Sequence, residues 1–150
     1  MQLVGTLIVD GDYQVMARSN KILIDTNILM YMFDNRKDIF DAVTQIIPSA
    51  DFYVLDKTYG EIDKVLKDKP QRKKLFIRYL KKLEDKEKYK IIKVPDEVLS
   101  RGERYLKIDN LLIYYCNNYI IYTNDRILKE KLKLRKAKII TLKTQGAILE

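Results

Sequence analysis

A short apolar run that ends at a carboxylate constrains this chain more than any other stretch. Lys21-Ile22-Leu23-Ile24 reads as a buried strand, and the polar triplet Asp25-Thr26-Asn27 interrupts it before Ile28 to Phe33 resume as a helix. A carboxylate at the exit of a buried strand has to be solvated by something. In an open α/β sheet that exit is where ligands bind, beyond the carboxyl ends of the strands. Asp25 is therefore read as the first member of a metal-binding acidic cluster whose other members come from later in the chain.

Alternating elements follow. Ile39, Phe40, Val43, Ile46 and Ile47 have helical spacing, and Pro48-Ser49 ends that helix. Asp51 to Asp56 reads as a strand and Lys57 to Lys67 as a helix. Pro70 opens a longer helix reaching roughly Glu84, with Leu75, Tyr79, Leu80 and Leu83 as its packing face. Tyr89 to Val94 is a strand, Pro95 to Gly102 a connection, and Asp109 opens the most apolar helix, DNLLIYYC. A strand at Tyr119 to Thr123, a helix at Asp125 to Arg135 and a strand at Lys138 to Leu142 complete the pattern. Strands separated by helices imply a mainly parallel sheet covered on both faces. Residues 1–20 stand apart from this domain of residues 21–150, as an extension with a hairpin expected around Asp10-Gly11-Asp12. That triplet resembles the nucleophile motif of haloacid-dehalogenase-like phosphatases, but Gln14 stands where the motif wants Thr or Val. Turn chemistry accounts for it equally well.

The inventory narrows the chemistry. Histidine is absent from all 150 residues, which excludes Ser-His-Asp, Cys-His and histidine-zinc sites. Cys116 is the single cysteine, inside the apolar run LLIYYC, and reads as a buried inert thiol. Any proton transfer must run through carboxylates, lysine, tyrosine or a metal-associated water. No apolar stretch is long enough to span a bilayer and no secretory pattern opens the chain, so a cytoplasmic location with no membrane partner is expected. The net charge of +8 concentrates in Lys64–Lys90 and Arg126–Lys138. One reading is a polyanionic partner such as RNA or DNA. The other is a thermophile-like surface of interspersed Lys and Glu.

Four acids meet apolar surroundings. Asp25 and Asp125 each follow a strand, so a parallel sheet places both on one edge. Glu61 has Val65 at i+4, and Asp109 has Leu112, Ile113 and Cys116 below it on its helix. Each also has a plain structural reading, as a helix cap for Asp25, Asp109 and Asp125 and as a partner of Lys64 for Glu61. Brought together, such carboxylates repel and ionise jointly only beside a cation. Oxygen ligands favour Mg²⁺ or Mn²⁺, which suits phosphodiester hydrolysis by an activated water.

At these residues the sequence resembles the PIN-domain family of metal-dependent nucleases, over roughly residues 21–142. LIDTN (Leu23 to Asn27) and YTNDR (Tyr122 to Arg126) carry most of the likeness, and the segments around Glu61 and Asp109 fall in the expected order. The resemblance implies an α/β fold, a three-layer α/β/α sandwich with a mainly parallel sheet of four to five strands. It implies Mg²⁺- or Mn²⁺-dependent endoribonuclease activity on single-stranded RNA, with Asp25, Glu61, Asp109 and Asp125 as the catalytic and metal-binding set. Thr26, Asn27 and Thr123 match the polar positions that orient those carboxylates. Asn110 stands where some relatives carry an acid and is left out of the primary site. Arg126 and Lys129 are the expected RNA contacts. Archaeal relatives of ribosomal-RNA-processing PIN nucleases and VapC-type toxins are both similar in size, so a homodimer, an antitoxin and a ribosome-assembly partner are all carried as expectations. A non-catalytic PIN-like module that binds RNA or protein is the alternative. A receiver-like phosphoacceptor domain is disfavoured, because Thr26-Asn27 rather than a second acid follows Asp25.

Overall fold

The computed structural model describes residues 20–150, so the hairpin expected around Asp10-Gly11-Asp12 lies outside the described residues. Strand β1 (Lys21–Ile24) is followed by helices α1 (Thr26–Asn35) and α2 (Ile39–Thr44), then β2 (Asp51–Leu55), α3 (Lys57–Val65) and α4 (Pro70–Asp85). Next come β3 (Lys90–Ile92), the short α5 (Asp96–Leu99), a 3₁₀ turn (Glu103–Leu106) and α6 (Ile108–Tyr115). The chain closes with β4 (Ile120–Tyr122), α7 (Arg126–Leu134), β5 (Ile139–Lys143) and β6 (Gly146–Leu149).

The sheet order is β3-β2-β1-β4-β5-β6. The first five strands run parallel, with Ile22 opposite both Phe52 and Ile120, and β6 returns antiparallel to β5. The chain thus leaves β1 toward β2 and β3, then crosses back to lay β4 on the other side of β1. The gap between the carboxyl ends of β1 and β4 is the point where the strand order reverses, the place an open α/β sheet offers to a ligand.

Period-two alternation divides β1 between two cores. Ile22 and Ile24 join Ile28, Leu29, Met32, Phe76 and Leu80 on one face. Leu23 joins Val98, Ile108, Leu111, Leu112, Leu128 and Leu132 on the other. Both faces of the central strand are fully buried, which is why it reads as an unbroken aliphatic run. The result is the expected three-layer α/β/α arrangement around a mainly parallel sheet.

Three details differ from the sequence reading. The sheet has six strands rather than four to five, because Gly146–Leu149 pairs with β5 across the two residues Thr144-Gln145. Gly146 (φ 143°) supplies the backbone conformation for that hairpin, but Thr-Gln is not a dipeptide that announces a hairpin turn. On α4, Phe76 and Leu80 point inward while Leu75 is 54% exposed and Tyr79 also faces solvent. Phe33 of α1 sets that rotation by stacking on Phe76, with ring centroids 4.8 Å apart. On α3, Val65 is 55% exposed, and Thr58 and Ile62 are the residues that pack.

These placements separate two apolar residues that look alike in the sequence. Phe76→Ala should cost about 3–5 kcal/mol in urea denaturation through the cavity it leaves, whereas Val65→Ala should stay within about 0.5 kcal/mol.

Candidate active site

The site begins with a hydroxyl. β1 and β4 are in register with Ile24 beside Tyr122, and the ladder continues one residue further through Asp25 N–H, which donates to the Tyr122 carbonyl at 2.9 Å. The next residue of each chain segment therefore lies side by side with its counterpart. Thr123 Oγ1 donates to Asp25 Oδ2 at 2.7 Å and accepts from the Asp125 N–H at 3.0 Å. One buried threonine thus ties the first acid to the loop that carries the fourth.

The remaining carboxylate bonds are local. Asp25 Oδ1 accepts from Thr26 N–H at 2.7 Å and caps α1. Asp125 Oδ1 accepts from Leu128 N–H at 3.1 Å and caps α7. The capping role read from sequence therefore holds for both and coexists with a place in the site. For Asp109 it does not: Lys107 occupies the cap position of α6, and Asp109 sits in the first turn with its carboxyl unused by the helix. Glu61 likewise forms no salt bridge with Lys64, and among the described residues none of the four acids pairs with a lysine or arginine within salt-bridge distance.

The four acids feel one another. Asp25 is 4% exposed. Burial drives its carboxyl upward, Thr123 and Thr26 pull it down, and repulsion from Asp109 and Glu61 adds to the rise, leaving it pushed up to about 7. Asp109 is raised first by burial and then by Asp125, with Lys131 and Lys107 opposing. Asp25 is thus linked to Glu61 and Asp109, and Asp109 to Asp125. Yet among the described residues no three acids already converge as a metal-ligand group.

Other polar atoms at this edge lack partners. Thr26 Oγ1, Asn27 Oδ1 and Thr58 Oγ1 are buried with no hydrogen bond. Buried polar groups are nearly always satisfied, so three orphans beside a carboxylate cluster call for a ligand or water. Thr58 was not singled out from sequence. Its signal was available: it precedes Glu61 by three residues and so shares its helix face. An all-oxygen donor set of carboxylates, an amide oxygen and hydroxyls, with no lysine or arginine within salt-bridge distance among the described residues, fits a hard divalent ion such as Mg²⁺ or Mn²⁺.

Several neighbouring residues have structural duties instead. Asp56, a third acid at a strand end, accepts from Val94 N–H at 3.2 Å and ties β2 to the exit of β3. Asn110 donates to the Arg104 carbonyl at 2.8 Å, holding the 3₁₀ turn against α6. Arg126 is exposed at the start of α7. Lys129, the other expected RNA contact, donates to Thr141 Oγ1 at 3.1 Å and lies 3.5 Å from Glu150 Oε2.

Two cavities differ in their relation to the acids. One of about 440 Å³ is lined by Lys57, Gly60, Glu61 and Lys64 of α3 and by Leu106 to Asp109, so it opens directly onto two of them. Another of about 420 Å³, lined in part by Met32, Phe33, Arg36 and Tyr79, lies at the far end of α1 from Asp25.

This architecture has counterparts among solved structures. The PIN domain endonuclease Utp24 is 18% identical, with a TM-score of 0.59 over 89% of this chain and 92% of its own. A domain of a functionally unknown protein from Methanocaldococcus jannaschii DSM 2661 is 14% identical, with a TM-score of 0.51 over 84% of this chain and 93% of its own. No family model and no curated protein matches the sequence. The fold is PIN-like. No helix among the described residues is long and apolar enough to cross a membrane.

The raised carboxyl has a measurable consequence in metal-free buffer. Between about pH 4 and 7 the folded protein holds a proton on Asp25 that the unfolded chain has released, so the folded state binds more protons. Stability therefore falls as pH rises through that window and levels off above it, with a total on the order of 4 kcal/mol. Asp25→Asn should flatten this slope and melt higher than the parent at pH above about 7. Thermal melts in EDTA across the window check both outcomes.

Proposed function

We propose that this protein is a divalent-metal-dependent endoribonuclease acting on single-stranded RNA, with Asp25, Glu61, Asp109 and Asp125 as its acidic centre. The observation that carries the reading is Asp25: a nearly inaccessible carboxylate at the switch point of a parallel sheet, repelled by two further acids and matched by no protein cation. The PIN-like fold supports it, since the solved structure most alike in architecture of the two above is described as an endonuclease.

The chain's own residues have distinct tasks in this reaction. Thr123 and Thr26 each donate to one oxygen of Asp25, so each oxygen keeps acceptor capacity beyond that bond. Asp125 is held by Leu128 N–H through one oxygen, with the second free. Asp109 and Glu61 arrive from helices that pack into opposite cores and face the same cleft. Together with Asn27 Oδ1 these groups would hold the ion. Mg²⁺ or Mn²⁺ held there would supply positive charge to offset the carboxylates and the scissile phosphate, and would lower the pKa of a water for attack at phosphorus. Breaking the P–O3′ bond in this way leaves a 5′-phosphate and a 3′-hydroxyl.

A second reading, a non-catalytic PIN-like module that binds RNA, is favoured by one observation: the acids are neighbours without forming a closed ligand group. Calorimetric titration with Mn²⁺ separates the two, because a silent titration supports the module and sinks the nuclease.

Cleavage of a single-stranded RNA in Mn²⁺ should be lost in Asp25→Asn and in Asp109→Asn. The loss should exceed the roughly 10–100-fold typical of residues that only orient a ligand, while Thr123→Val should fall within that range. Asp25→Asn should melt no lower than the parent. Cleavage retained by Asp25→Asn overturns the assignment.

A further inference from the structure

We propose that the cleft between α3 and the entry to α6 seats one nucleotide of a single-stranded substrate. Lys57, Lys64 and Lys107 grip its flanking phosphates, and Gly60 is the point where the strand lies against the helix. The proposal deepens the nuclease reading and rests on it for the identity of the polyanion.

Gly60 carries the argument. It is the fourth residue of the nine-residue α3, where glycine costs about 1 kcal/mol relative to alanine. Its backbone is not among the positive-φ positions, so conformation does not require it. Packing does not require it either, because a Cβ built there meets no protein atom within 4 Å. The usual internal reasons for a glycine in a helix are both absent. What remains is the space outside, and that space is the cleft of about 440 Å³ that Gly60 lines. A missing side chain at a cleft wall allows a ligand to approach the backbone closely.

The rest of the lining says what kind of ligand. Lys57, Lys64 and Lys107 are all exposed, and none forms a salt bridge among the described residues. Three free cations on the walls lead to Glu61 and Asp109 at the inner end. A lone anion would be served by the lysines only; a polyanion running from the lysines to a cation held by the acids uses the whole lining. Leu106, 62% exposed beside the 3₁₀ turn, offers an apolar surface for a base. The volume lies toward the lower end of the roughly 300–1,000 Å³ of small-ligand pockets. That suits one nucleotide.

Fluorescence anisotropy with a labelled mixed-sequence single-stranded RNA, in EDTA so that nothing is cleaved, tests the cleft directly. Gly60→Ala and Gly60→Leu should melt at or above the parent temperature. Gly60→Leu should weaken binding by about tenfold or more, the equivalent of one lost base contact. Lys57→Gln, Lys64→Gln and Lys107→Gln should each reduce the slope of log affinity against log salt by about 0.7. Unchanged binding by Gly60→Leu, unchanged slopes in all three lysine variants, no binding by the parent, or duplex RNA binding with the same sensitivity to these changes would each overturn the proposal. Because these measurements need no hydrolysis, absence of Mn²⁺-dependent cleavage by the parent would remove the nuclease reading and leave the cleft standing, and the reverse pattern would do the opposite.

Discussion

The hydroxyl of Thr123 is the joint on which the site turns. It donates to Asp25 on one side and accepts the Asp125 N–H on the other, and it can do both because β1 and β4 are adjacent parallel strands in a fixed register. That adjacency is a property of the topology. β4 reaches β1 only because the chain has already spent β2 and β3 on the opposite side. A register slip of one residue would turn Asp25 into the core and Ile24 to the opposite face. The aliphatic alternation of β1 between two buried cores therefore protects the geometry of the carboxylates as much as it stabilises the fold.

The acids come from all three layers. Asp25 and Asp125 stand at strand exits, Glu61 on a helix that packs into one core, and Asp109 on a helix that packs into the other. No single element can bring them together, so the arrangement forms only when the whole domain does. It also carries a cost in the metal-free state, since Asp25 is raised by burial and by its acidic neighbours. Burying like charges against stability is common where a site must receive a cation, and the unpartnered oxygens of Thr26, Asn27 and Thr58 are part of the same cost.

Much of this was legible in the sequence, and the misses have physical causes. The central strands β1 and β4 are apolar runs bounded by polar residues, which a doubly covered parallel sheet demands. Asp25 and Asp125 stood out because each follows a buried apolar run and parallel strands bring such exits to one edge, although a helix cap explains either residue alone. β6 escaped because its pairing depends on β5 being an available edge, and Thr144-Gln145 carries no turn signal. The rotation of α4 escaped because Leu75, Phe76, Ile77, Tyr79 and Leu80 leave several apolar faces open, and the choice among them is made by Phe33 on another helix. Glu61 was chosen with Val65 as its packed neighbour, but Ile62 holds α3 to the core, and the exposed Val65 plays no part. The contact of Lys129 with Glu150 could not be read from sequence, because Glu150 is brought beside it by the unforeseen β6.

A cluster of carboxylates still needs something to hold it together before any cation binds, and the parallel architecture supplies it. In a sheet of parallel strands each followed by a helix, the helices that leave the strand exits start at the same edge. Asp25 and Asp125 cap α1 and α7, and Asp109 lies in the first turn of α6. Helix amino termini carry partial positive charge and unsatisfied N–H groups, and favour nearby anions by about 0.3–1 kcal/mol each at exposed positions. Three converging helix starts therefore offset part of the mutual repulsion in the metal-free protein. The effect fades beyond the first turn, so Glu61, the fifth residue of α3, receives the least of it. Its neighbours along the cleft are instead the lysines of its own helix and Lys107 across from it. The acidic edge is thus graded, from a buried end fastened by hydrogen bonds and helix termini to an open end bordered by exposed lysines. From solvent inward, the exposed lysines come first and the half-buried acids last.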